Sequence, residues 1–491
     1  MPGRNLHAGA VTMAEMFIDG HTVPYPWLER LPVGNPATGE VVDSVPRGGP
    51  DEVDTAVSAA AAAFPAWRDL PAARRGAILA AAARAVAGRL DDLARLLTTE
   101  QGKPLREARL EIRRFVHTLE HYAGLARHLR GGYVPNLDDG AYGMILKQPM
   151  GVVGAIVPWN FPVSLLGNKL GPALVAGNTV VAKPAETTPL TTLRVAVIMH
   201  DAGVPSGVFN VVTGLGPEAG RALVEHPRVR KVAFTGSTPV GKQILALAAA
   251  DLKRVTLELG GSDPMIVCDD ADLEAAASAA SVGRFFNCGQ ACLAVKRLYV
   301  FERVAAEFME RLQARVLRLR IGPGDTDAVL VGPLHTARGR EIIEAQVADA
   351  LAGGARVLAG AKRPAGALFA PGFFYEPTLL LEPAPDARVA REEVFGPVLP
   401  VWRVHGLEEA IHLANSSIYG LGSSIWTRDL DRASYAAERL EAGWTWINSP
   451  QKIYDELPHG GVKHSGLGKE HGIEALDYYM ETKSVVVRRS S

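Results

Sequence analysis

Two of the chain's three cysteines lie in one stretch, Phe285 to Val295, which reads F-F-N-C-G-Q-A-C-L-A-V. A cysteine in an apolar stretch usually packs as a small hydrophobic residue. Beside Cys292, however, asparagine, glycine and glutamine interrupt the apolar pattern, as expected where the backbone must approach a substrate. A cysteine there could be an enzyme's nucleophile, because a thiolate is strongly nucleophilic at neutral pH. The local sequence leaves catalysis and packing both open.

The elements that would position such a group are predicted from residue 151 onward, where apolar runs alternate with helical sequence. The runs recur at roughly 25–30 residues, which is typical of βαβ units and a mostly parallel sheet. The predicted strands are 151–157, 179–183, 208–212, 231–235 and 254–258. Ligands bind such sheets at the carboxyl ends of the strands.

Polar residues follow these strand ends. Asn160 follows the first strand, and Lys183 and Glu186 lie at the end of the second. Gly236 and Ser237 follow the fourth strand and open a helix, whose backbone amides can face a phosphate. Glu186 is placed to accept ribose hydroxyls, and its charge repels a 2′-phosphate, which favours NAD over NADP.

A true G-x-G-x-x-G motif is absent. The sequence closest to it runs from Gly214 through Gly216 to Gly220 and is one residue too long. Glycines of this kind also serve as helix caps and turns, so this motif alone does not indicate a dinucleotide site.

The rest of the chain reads as short strands at 16–20 and 35–45, then helices near 51–64, 71–97 and 104–129. A hairpin is predicted over 133–146, with Asp138, Asp139 and Gly140 at its turn and the C-terminal strand as its candidate partner. Residues 1–13 have no apolar core of signal-peptide length and are interpreted as a disordered leader.

Composition limits the classes of function. A net charge of -1 gives no global field to attract nucleic acid or an anionic membrane. With 491 residues, 47% of them hydrophobic, we expect two or three domains with large cores. No segment approaches the roughly 20 apolar residues of a membrane span. Three cysteines make no disulfide framework and no zinc-ligand set, so we predict no metal and a reducing, cytoplasmic setting.

Seven motifs then occur in order: P-W-N-F-P (158–162), K-P-A-E (183–186), F-T-G-S (234–237), L-E-L-G-G (257–261), F-x-N-x-G-Q-x-C (285–292), E-E-V-F-G-P-V (392–398) and P-H-G-G-V-K-H-S-G (458–466). Together they resemble the aldehyde dehydrogenase superfamily along essentially the whole chain. The resemblance implies an α/β fold with a Rossmann-like NAD-binding domain (1–129 and 149–259), an α/β catalytic domain (260–462) and a β-arm for oligomerisation (130–148 and 475–491). Family members are typically homodimers or homotetramers.

The resemblance also implies a mechanism. Oxidation of an aldehyde needs a tetrahedral adduct from which hydride can leave, and the motif places the nucleophilic sulfur at Cys292 rather than Cys288. Asn160 resembles the side-chain donor to the oxyanion, beside the Cys292 backbone N–H. Glu258 resembles the base that activates water to hydrolyse the thioester. Relatives that transfer the acyl group to coenzyme A commonly lack this glutamate, so a free acid is expected.

Further roles are implied by the resemblance. Lys169 resembles a proton-relay lysine, Lys183 the lysine that bonds the adenosine ribose, and Glu393 and Phe395 the residues that hold the nicotinamide ribose and ring. The complete set of predicted cofactor residues is Ile156, Val157, Pro158, Trp159, Lys183, Glu186, Gly216, Phe234, Gly236, Ser237, Val240, Leu259, Glu393 and Phe395.

The aldehyde itself is less well indicated. The predicted tunnel is lined by Phe161, Leu165, Asn168, Phe286, Ala291, Leu293, Ile453 and His459. Asn168, Ile453 and His459 stand where general acetaldehyde oxidisers have aromatics, so the tunnel should be more polar. An apolar aliphatic or aromatic aldehyde is the first expectation, since no arginine lies in the Cys292 loop to hold a carboxylate.

Two alternatives stay open. Asp455 and Glu456 precede P-H-G-G and could attract a cationic amino-aldehyde, although paired loop acids are usually solvated surface. The fold could also serve a non-catalytic binding or structural role, as in lens crystallins of this family, which intact Cys292, Glu258 and Asn160 argue against.

Overall fold

A computed structural model describes residues 13–488, so all of the predicted leader except Met13 lies outside the described residues. The strands in this part of the chain are β1 Met16–Ile18, β2 His21–Val23, β3 Arg30–Gly34, β4 Val41–Pro46, β5 Gly132–Asp138, β6 Ala141–Pro149, β7 Val152–Ile156, β8 Thr179–Lys183, β9 Phe209–Val211, β10 Val229–Thr235, β11 Arg254–Glu258, β12 Asp263–Val267, β13 Val295–Phe301, β14 Arg356–Ala359, β15 Thr378–Leu381, β16 Val398–Val404, β17 Tyr419–Gly420, β18 Gly422–Trp426, β19 Trp444–Ile447, β20 Val462–Lys463, β21 Gly466–Leu467 and β22 Met480–Arg488.

The α-helices are α1 Pro50–Asp69, α2 Ala72–Ala87, α3 Leu90–Gln101, α4 Leu105–Leu125, α5 Ser164–Ala176, α6 Leu190–Asp201, α7 Arg221–Glu225, α8 Thr238–Ala249, α9 Leu273–Phe285, α10 Glu302–Val316, α11 Ala337–Ala352, α12 Arg388–Arg391, α13 Leu407–Asn415 and α14 Leu430–Arg439. The single helix predicted over 71–97 is wrong. Gly88 ends α2, where its N–H donates to the Arg84 carbonyl, and glycine disfavours continuation of a helix.

The first sheet has eight strands in the order β2-β1-β9-β8-β7-β10-β11-β21. Its five central strands are parallel, as the alternating pattern predicted, and β1, β2 and β21 add antiparallel edges. Alternate side chains of β7 enter two cores: Val153 and Ala155 face α2–α5, while Val152 and Ile156 face α1 and α7. Burial on both faces explains the continuous apolar runs.

The second sheet has seven strands in the order β14-β15-β16-β13-β12-β18-β19. It begins in sequence with Asp263, and four residues, 259–262, separate this strand from the end of β11 in the first sheet. Strands β15, β16, β13, β12, β18 and β19 are parallel. Glu258 therefore ends the first sheet at the point where the chain crosses to the second sheet.

The predicted hairpin forms β5 and β6, and its predicted partner is confirmed: β22 pairs with β6 from Met480 to Arg488. Within residues 13–488, no helix has the length and apolar composition to cross a membrane.

Candidate active site

The strand ends of the first sheet meet at one edge. Ile156 of β7 lies beside Lys183 of β8 and Phe234 of β10, and Thr235 lies beside Glu258 of β11. Because the strands are parallel and in register, the segments that follow them leave the sheet on the same side. This edge brings together most of the residues predicted to bind the cofactor and to act on the aldehyde.

The cysteine stretch leaves α9 through a left-handed turn. Asn287, Cys288 and Gly289 have φ values of 49°, 55° and 72°, a conformation that costs free energy in residues other than glycine. The turn is held by the Asn287 N–H, which donates to Glu107 Oε2 at 2.8 Å, and by Arg284, which donates to the Gly289 carbonyl at 2.6 Å. A side chain at Gly289 would collide with the Gly396 carbonyl, 2.2 Å from its Cβ.

The turn separates the two cysteines by environment. Cys288 is buried in the core of the second sheet, and burial raises the pKa of its thiol far above the usual range. Cys292 is half-buried. Its accessibility leaves Cys292 as the candidate nucleophile.

Burial, with nearby carboxylates, holds Cys292 as a thiol. Burial raises its pKa to about 12; Lys296 opposes this shift, while Glu258, Asp263 and Glu393 add to it. Lys296 does not bond the sulfur. Its Nζ donates to the Cys292 carbonyl at 2.8 Å and to Glu393 Oε1 at 2.5 Å. The sulfur therefore needs a proton acceptor when it attacks.

Asn160 is tied to the cysteine stretch. Its side-chain Nδ2 donates to the Gln290 backbone carbonyl at 3.2 Å, and the backbone carbonyl of Asn160 accepts from Asn287 Nδ2 at 2.9 Å. The same carbonyl accepts from Lys103 Nζ at 2.6 Å. Lys103 is completely buried and pairs with Glu111 at 2.5 Å. This arrangement fixes the amide of Asn160 near Cys292.

The Lys103 and Glu111 pair also positions the start of α5. Glu111 Oε1 accepts from the backbone N–H groups of Val163 and Ser164 at 2.9 and 3.2 Å. Lys103 and Glu111 were missed from sequence, because charged residues on a helical pattern are ordinarily assigned to its solvated face.

Glu258 is buried at the end of β11, with 4% of its surface exposed, and neither carboxylate oxygen has a hydrogen-bond partner. Burial raises the pKa of Glu258 well above its ordinary value, and the charge of Glu470 adds to this. His459 Nε2 lies 3.6 Å from Glu258 Oε2. A buried carboxyl with a raised pKa and free oxygens is suited to accept a proton from water.

Lys169 lies behind this edge and contacts Glu470. Its Nζ donates to Glu470 Oε1 and to Thr235 Oγ1, both at 2.6 Å. Asn168, predicted as a lining residue of the tunnel, is buried, with 3% of its surface exposed. Its Nδ2 donates to Glu470 Oε2 at 3.1 Å. Because that amide is engaged with Glu470, the structure does not support a free polar contact from Asn168 to an aldehyde. Glu470 itself was missed from sequence.

The cofactor residues form a strip along the same edge. Lys183 is buried, and its Nζ lies 3.3 Å from Oε2 of the partly exposed Glu186. Gly216 has open space beside it, where a Cβ would meet nothing within 4 Å. An ammonium, a carboxylate and open space fit the hydroxyls of a ribose. Ser237 and Val240, at the start of α8, are exposed toward solvent.

At the other end of this strip, Trp159 packs between two rings. It stacks on His335 at 4.6 Å and meets Phe395 edge-on at 5.6 Å. Glu393 accepts from the Gly261 N–H at 3.1 Å as well as from Lys296. The remaining predicted cofactor residues follow the strand ends and are largely buried: Ile156, Val157, Pro158, Phe234, Gly236 and Leu259.

The surroundings of Cys292 on the aldehyde side are apolar. Leu293 packs with Leu421, Trp444 and Trp446, and Cys292 and Ile453 lie against this cluster. Phe161 and Phe286 stack at 6.0 Å, and Leu165 and Ala291 are also half-buried. His459 meets Trp444 edge-on at 5.9 Å. The two tryptophans were missed, because they follow no motif that sequence reasoning could use.

Asp455 is not solvated surface, and that interpretation is wrong. It is completely buried, and its oxygens bond Arg114 and His471 at 2.7 Å, His117 at 2.5 Å and Thr118 at 3.1 Å. Burial alone would raise the pKa of Asp455, but the hydrogen bond from His471 and the charge of Arg114 hold it well below its usual range. Asp455 has no capacity left to attract an amine, whereas Glu456 is exposed.

No group of three or more His, Cys, Asp or Glu in residues 13–488 is arranged to hold a metal ion.

Comparison with known proteins agrees with this geometry. A family model described as "Aldehyde dehydrogenase family" matches residues 26–485. The chain is 42% identical over 469 residues to the glutarate-semialdehyde dehydrogenase of Pseudomonas aeruginosa, with 96% of each chain covered. It is 42% identical over 459 residues to the succinate-semialdehyde dehydrogenase (NADP(+)) GabD of Escherichia coli, with 94% of each covered.

Solved structures give the same result. The crystal structure of PnpE from Pseudomonas sp. WBC-3 superposes with a TM-score of 0.95 at 41% identity, covering 97% of this chain and 98% of that one. PnpE in complex with nicotinamide adenine dinucleotide gives the same values. The chain therefore belongs to the aldehyde dehydrogenase family and is an oxidoreductase that acts on aldehydes.

Proposed function

We propose that this enzyme oxidises an aldehyde to the free carboxylic acid, with Cys292 as nucleophile, Asn160 as oxyanion donor and Glu258 as the base for hydrolysis. The observation that carries the proposal is the carboxyl of Glu258, which is buried near Cys292 with both oxygens free of hydrogen bonds. Those oxygens can face a water molecule without first breaking a protein contact.

In the proposed reaction the Cys292 thiol loses its proton to solvent, its sulfur bonds the aldehyde carbon, and the carbonyl oxygen becomes an oxyanion beside Asn160 Nδ2. NAD, when bound, supplies the acceptor for the hydride that leaves this carbon. The thioester that remains is attacked by water as Glu258 accepts a proton. The carbon–sulfur bond then breaks, which releases the acid and leaves a thiolate that takes up a proton to restore Cys292.

Cofactor preference is proposed from Glu186. Its partly exposed carboxylate beside Lys183 Nζ suits two free ribose hydroxyls and repels a 2′-phosphate. NAD is therefore proposed over NADP, although one relative is named for NADP(+).

We also propose the division into an NAD-binding domain, a catalytic domain and an arm, at the boundaries expected from sequence. In support of an oligomerisation role, the arm exposes an apolar set against which a second copy could pack: Tyr133, Val134, Leu137, Leu146 and Val486.

For the substrate we propose an apolar aliphatic or aromatic aldehyde, because Cys292 packs with Leu293, Trp444 and Ile453 and the stacked pair Phe161 and Phe286 is half-buried nearby. A second candidate is a semialdehyde with an anionic far end. It is favoured by relatives named for glutarate and succinate semialdehydes. The amino-aldehyde alternative loses its support from Asp455, whose oxygens are bonded within the protein.

The test is the rate of NADH formation with aldehydes matched in length. Pentanal is compared with glutarate semialdehyde, and butanal with 4-aminobutanal, so that each pair isolates one charged end. We expect kcat/KM to be higher for the uncharged member of each pair. A preference of tenfold or more, about 1.4 kcal/mol in transition-state binding, for glutarate semialdehyde would establish the second candidate instead. No NADH from any of the four would contradict the proposed activity.

A further inference from the structure

A row of ionisable side chains leads from Glu258 to the protein surface. His459 lies next to Glu258, His471 lies behind His459, and Asp455 joins His471 to His117. His459 and His471 are 4% and 0% exposed, whereas the side chain of His117 is 58% exposed. The reaction described above uses none of these groups beyond Glu258.

The backbone fixes His459 against Glu258. The His459 N–H donates to the Glu470 carbonyl at 2.6 Å, and the Glu470 N–H donates back to the His459 carbonyl at 2.7 Å. The next residue, Gly460, lies against the same carboxyl, since a Cβ there would be 2.8 Å from Glu258 Oε1. The ring of His459 packs edge-on against Trp444. Its Nε2 is thereby held 3.6 Å from Glu258 Oε2, a separation that catalytic hydrogen bonds often have before substrate binds.

Two buried nitrogens then mark the next step. His459 Nδ1 and His471 Nε2 are both buried without a hydrogen-bond partner, and the two ring centroids are 6.0 Å apart. A single water molecule between the two nitrogens spans such a separation. Buried polar atoms are rarely left unpaired, so two of them on neighbouring rings are suited to the two ends of such a water bridge.

Asp455 determines which nitrogen of His471 carries hydrogen. Because Asp455 is an ionised acceptor 2.7 Å from His471 Nδ1, that nitrogen holds the proton and Nε2 is left as an acceptor. His459 can then donate from Nδ1 to His471, which leaves its Nε2 free to accept from Glu258. A carboxylate that orients a histidine in this way also stabilises the imidazolium when a proton arrives.

We propose that His459 takes from Glu258 the proton that hydrolysis of the thioester releases, and that His471, held by Asp455, carries it toward the exposed His117. The inference rests on the proposed role of Glu258 and adds to it. In this step an O–H bond of water breaks, its oxygen bonds the thioester carbon, and the sulfur leaves. The water proton passes to Glu258 and then to His459 Nε2 while the Nδ1 proton moves to His471, so that one proton leaves for solvent per acid formed.

The charges around His459 suit a transient carrier. Burial lowers its pKa well below the ordinary value, and the neighbouring cations Lys469, Arg114 and Lys169 lower it further. Glu258 and Glu470 are the carboxyls beside it. His459 is therefore neutral at rest, with one nitrogen able to accept and the other able to donate.

The test uses His459→Phe, which keeps a ring against Trp444 and removes both nitrogens. We expect a normal burst of about one NADH per subunit, since the attack by Cys292 and the transfer of hydride do not use His459. Loss of the acyl group, followed by intact-protein mass after rapid quenching, should slow about tenfold or more. Hydroxylamine, which attacks thioesters without a base, should restore turnover. A merely structural defect would lower the burst and would not be rescued.

The second variant is His471→Asn. Asparagine can still bond Asp455 and tolerates the φ of 55° that His471 has, but it cannot pass a proton. Slowed loss of the acyl group with a normal burst is expected here too. The matched control is His121→Phe, because His121 lies in the same region and makes no hydrogen bond to Asp455. Its rates should equal those of the wild type.

Three results would overturn parts of the inference. Wild-type loss of the acyl group in His459→Phe would exclude His459 as the acceptor, and a burst that falls in parallel with turnover would show a structural role. A wild-type rate in His471→Asn would end the path at His459. If Glu258→Gln formed no stranded acyl enzyme, the proposed function would fail first, independently of these histidines.

Discussion

The replacement Glu258→Gln separates the two halves of the proposed reaction. Glutamine has nearly the same volume, and neither carboxylate oxygen of Glu258 makes a hydrogen bond that the change would break. It also removes a buried carboxyl whose pKa burial has raised, so the fold should not be destabilised. The change should therefore act on chemistry, by removing the base that accepts a proton from water.

The expected loss follows from the usual contribution of a positioned base, about 10²–10⁴-fold in rate, or roughly 3–5 kcal/mol in activation free energy. Attack by Cys292 and hydride loss should continue, so NADH should appear in a burst of about one per active subunit and then almost stop. The assay is stopped-flow absorbance of NADH, combined with the intact mass of the protein to detect the acyl group on Cys292.

Glu258→Asp serves as the control, because it keeps a base but withdraws it from the water, and should show an intermediate rate. Turnover of Glu258→Gln at the wild-type rate would refute the reasoning. The same holds for a variant with neither burst nor acyl adduct, which would mean that Glu258 is needed before hydride transfer. Added coenzyme A should not restore the rate if the enzyme releases a free acid.

Four further expectations follow. Cys292→Ala should abolish oxidation while NAD still binds, as measured by fluorescence titration, and Cys288→Ala should retain most activity; the reverse would move the nucleophile to Cys288. Glu186→Ser should narrow the preference for NAD over NADP in kcat/KM, and a wild type that uses NADP equally well would contradict the ribose assignment. Lys103→Met leaves Glu111 buried without its cation and should lower the free energy of unfolding by about 3–5 kcal/mol, measured as a lower melting temperature. The double replacement with Glu111→Gln should largely restore the melting temperature. An unchanged melting temperature in Lys103→Met would show that the pair is not stabilising. Because the pKa of Cys292 is raised to about 12, its thiolate fraction without cofactor should increase tenfold per pH unit. The rate of alkylation by iodoacetamide should therefore rise from pH 6 to 9 without a plateau. Cys292→Ala gives the background rate.

The sequence could predict those features that are determined by residues close together in the chain. The parallel strands at 179–183 and 254–258 coincide with β8 and β11, since buried strands read as short apolar runs with turns between them. Cys292, Asn160 and Glu258 could be predicted as site residues because each lies in a contiguous motif. The extra break at Gly88 was missed, because a lone glycine in a helical pattern is often tolerated.

The residues that sequence reasoning missed act across long distances in the chain. Lys103, in the loop between α3 and α4, bonds Asn160 and pairs with Glu111 of α4, and Glu470 reaches Lys169 from 301 positions away. Asp455 was misjudged for the same reason: its partners Arg114 and His117 lie on α4. A local pattern contains no information about which distant side chain will neutralise a charge, so a buried ion pair looks like a solvated one until the fold is known.

The antiparallel edge strand β21 has a consequence for the order in which the site is completed during synthesis. It pairs Gly466 with Glu258, so the surroundings of that carboxyl are supplied by a segment about 200 residues further along the chain. At about 5–20 residues per second of translation, the ribosome needs roughly 10–40 seconds to deliver this segment after Glu258 has been synthesised. Cys292 is synthesised during the same interval. A chain stalled before residue 466 would contain Cys292 and Glu258 but not the strand that pairs with Glu258, so the proposed hydrolysis should begin only after this segment has been synthesised and has paired.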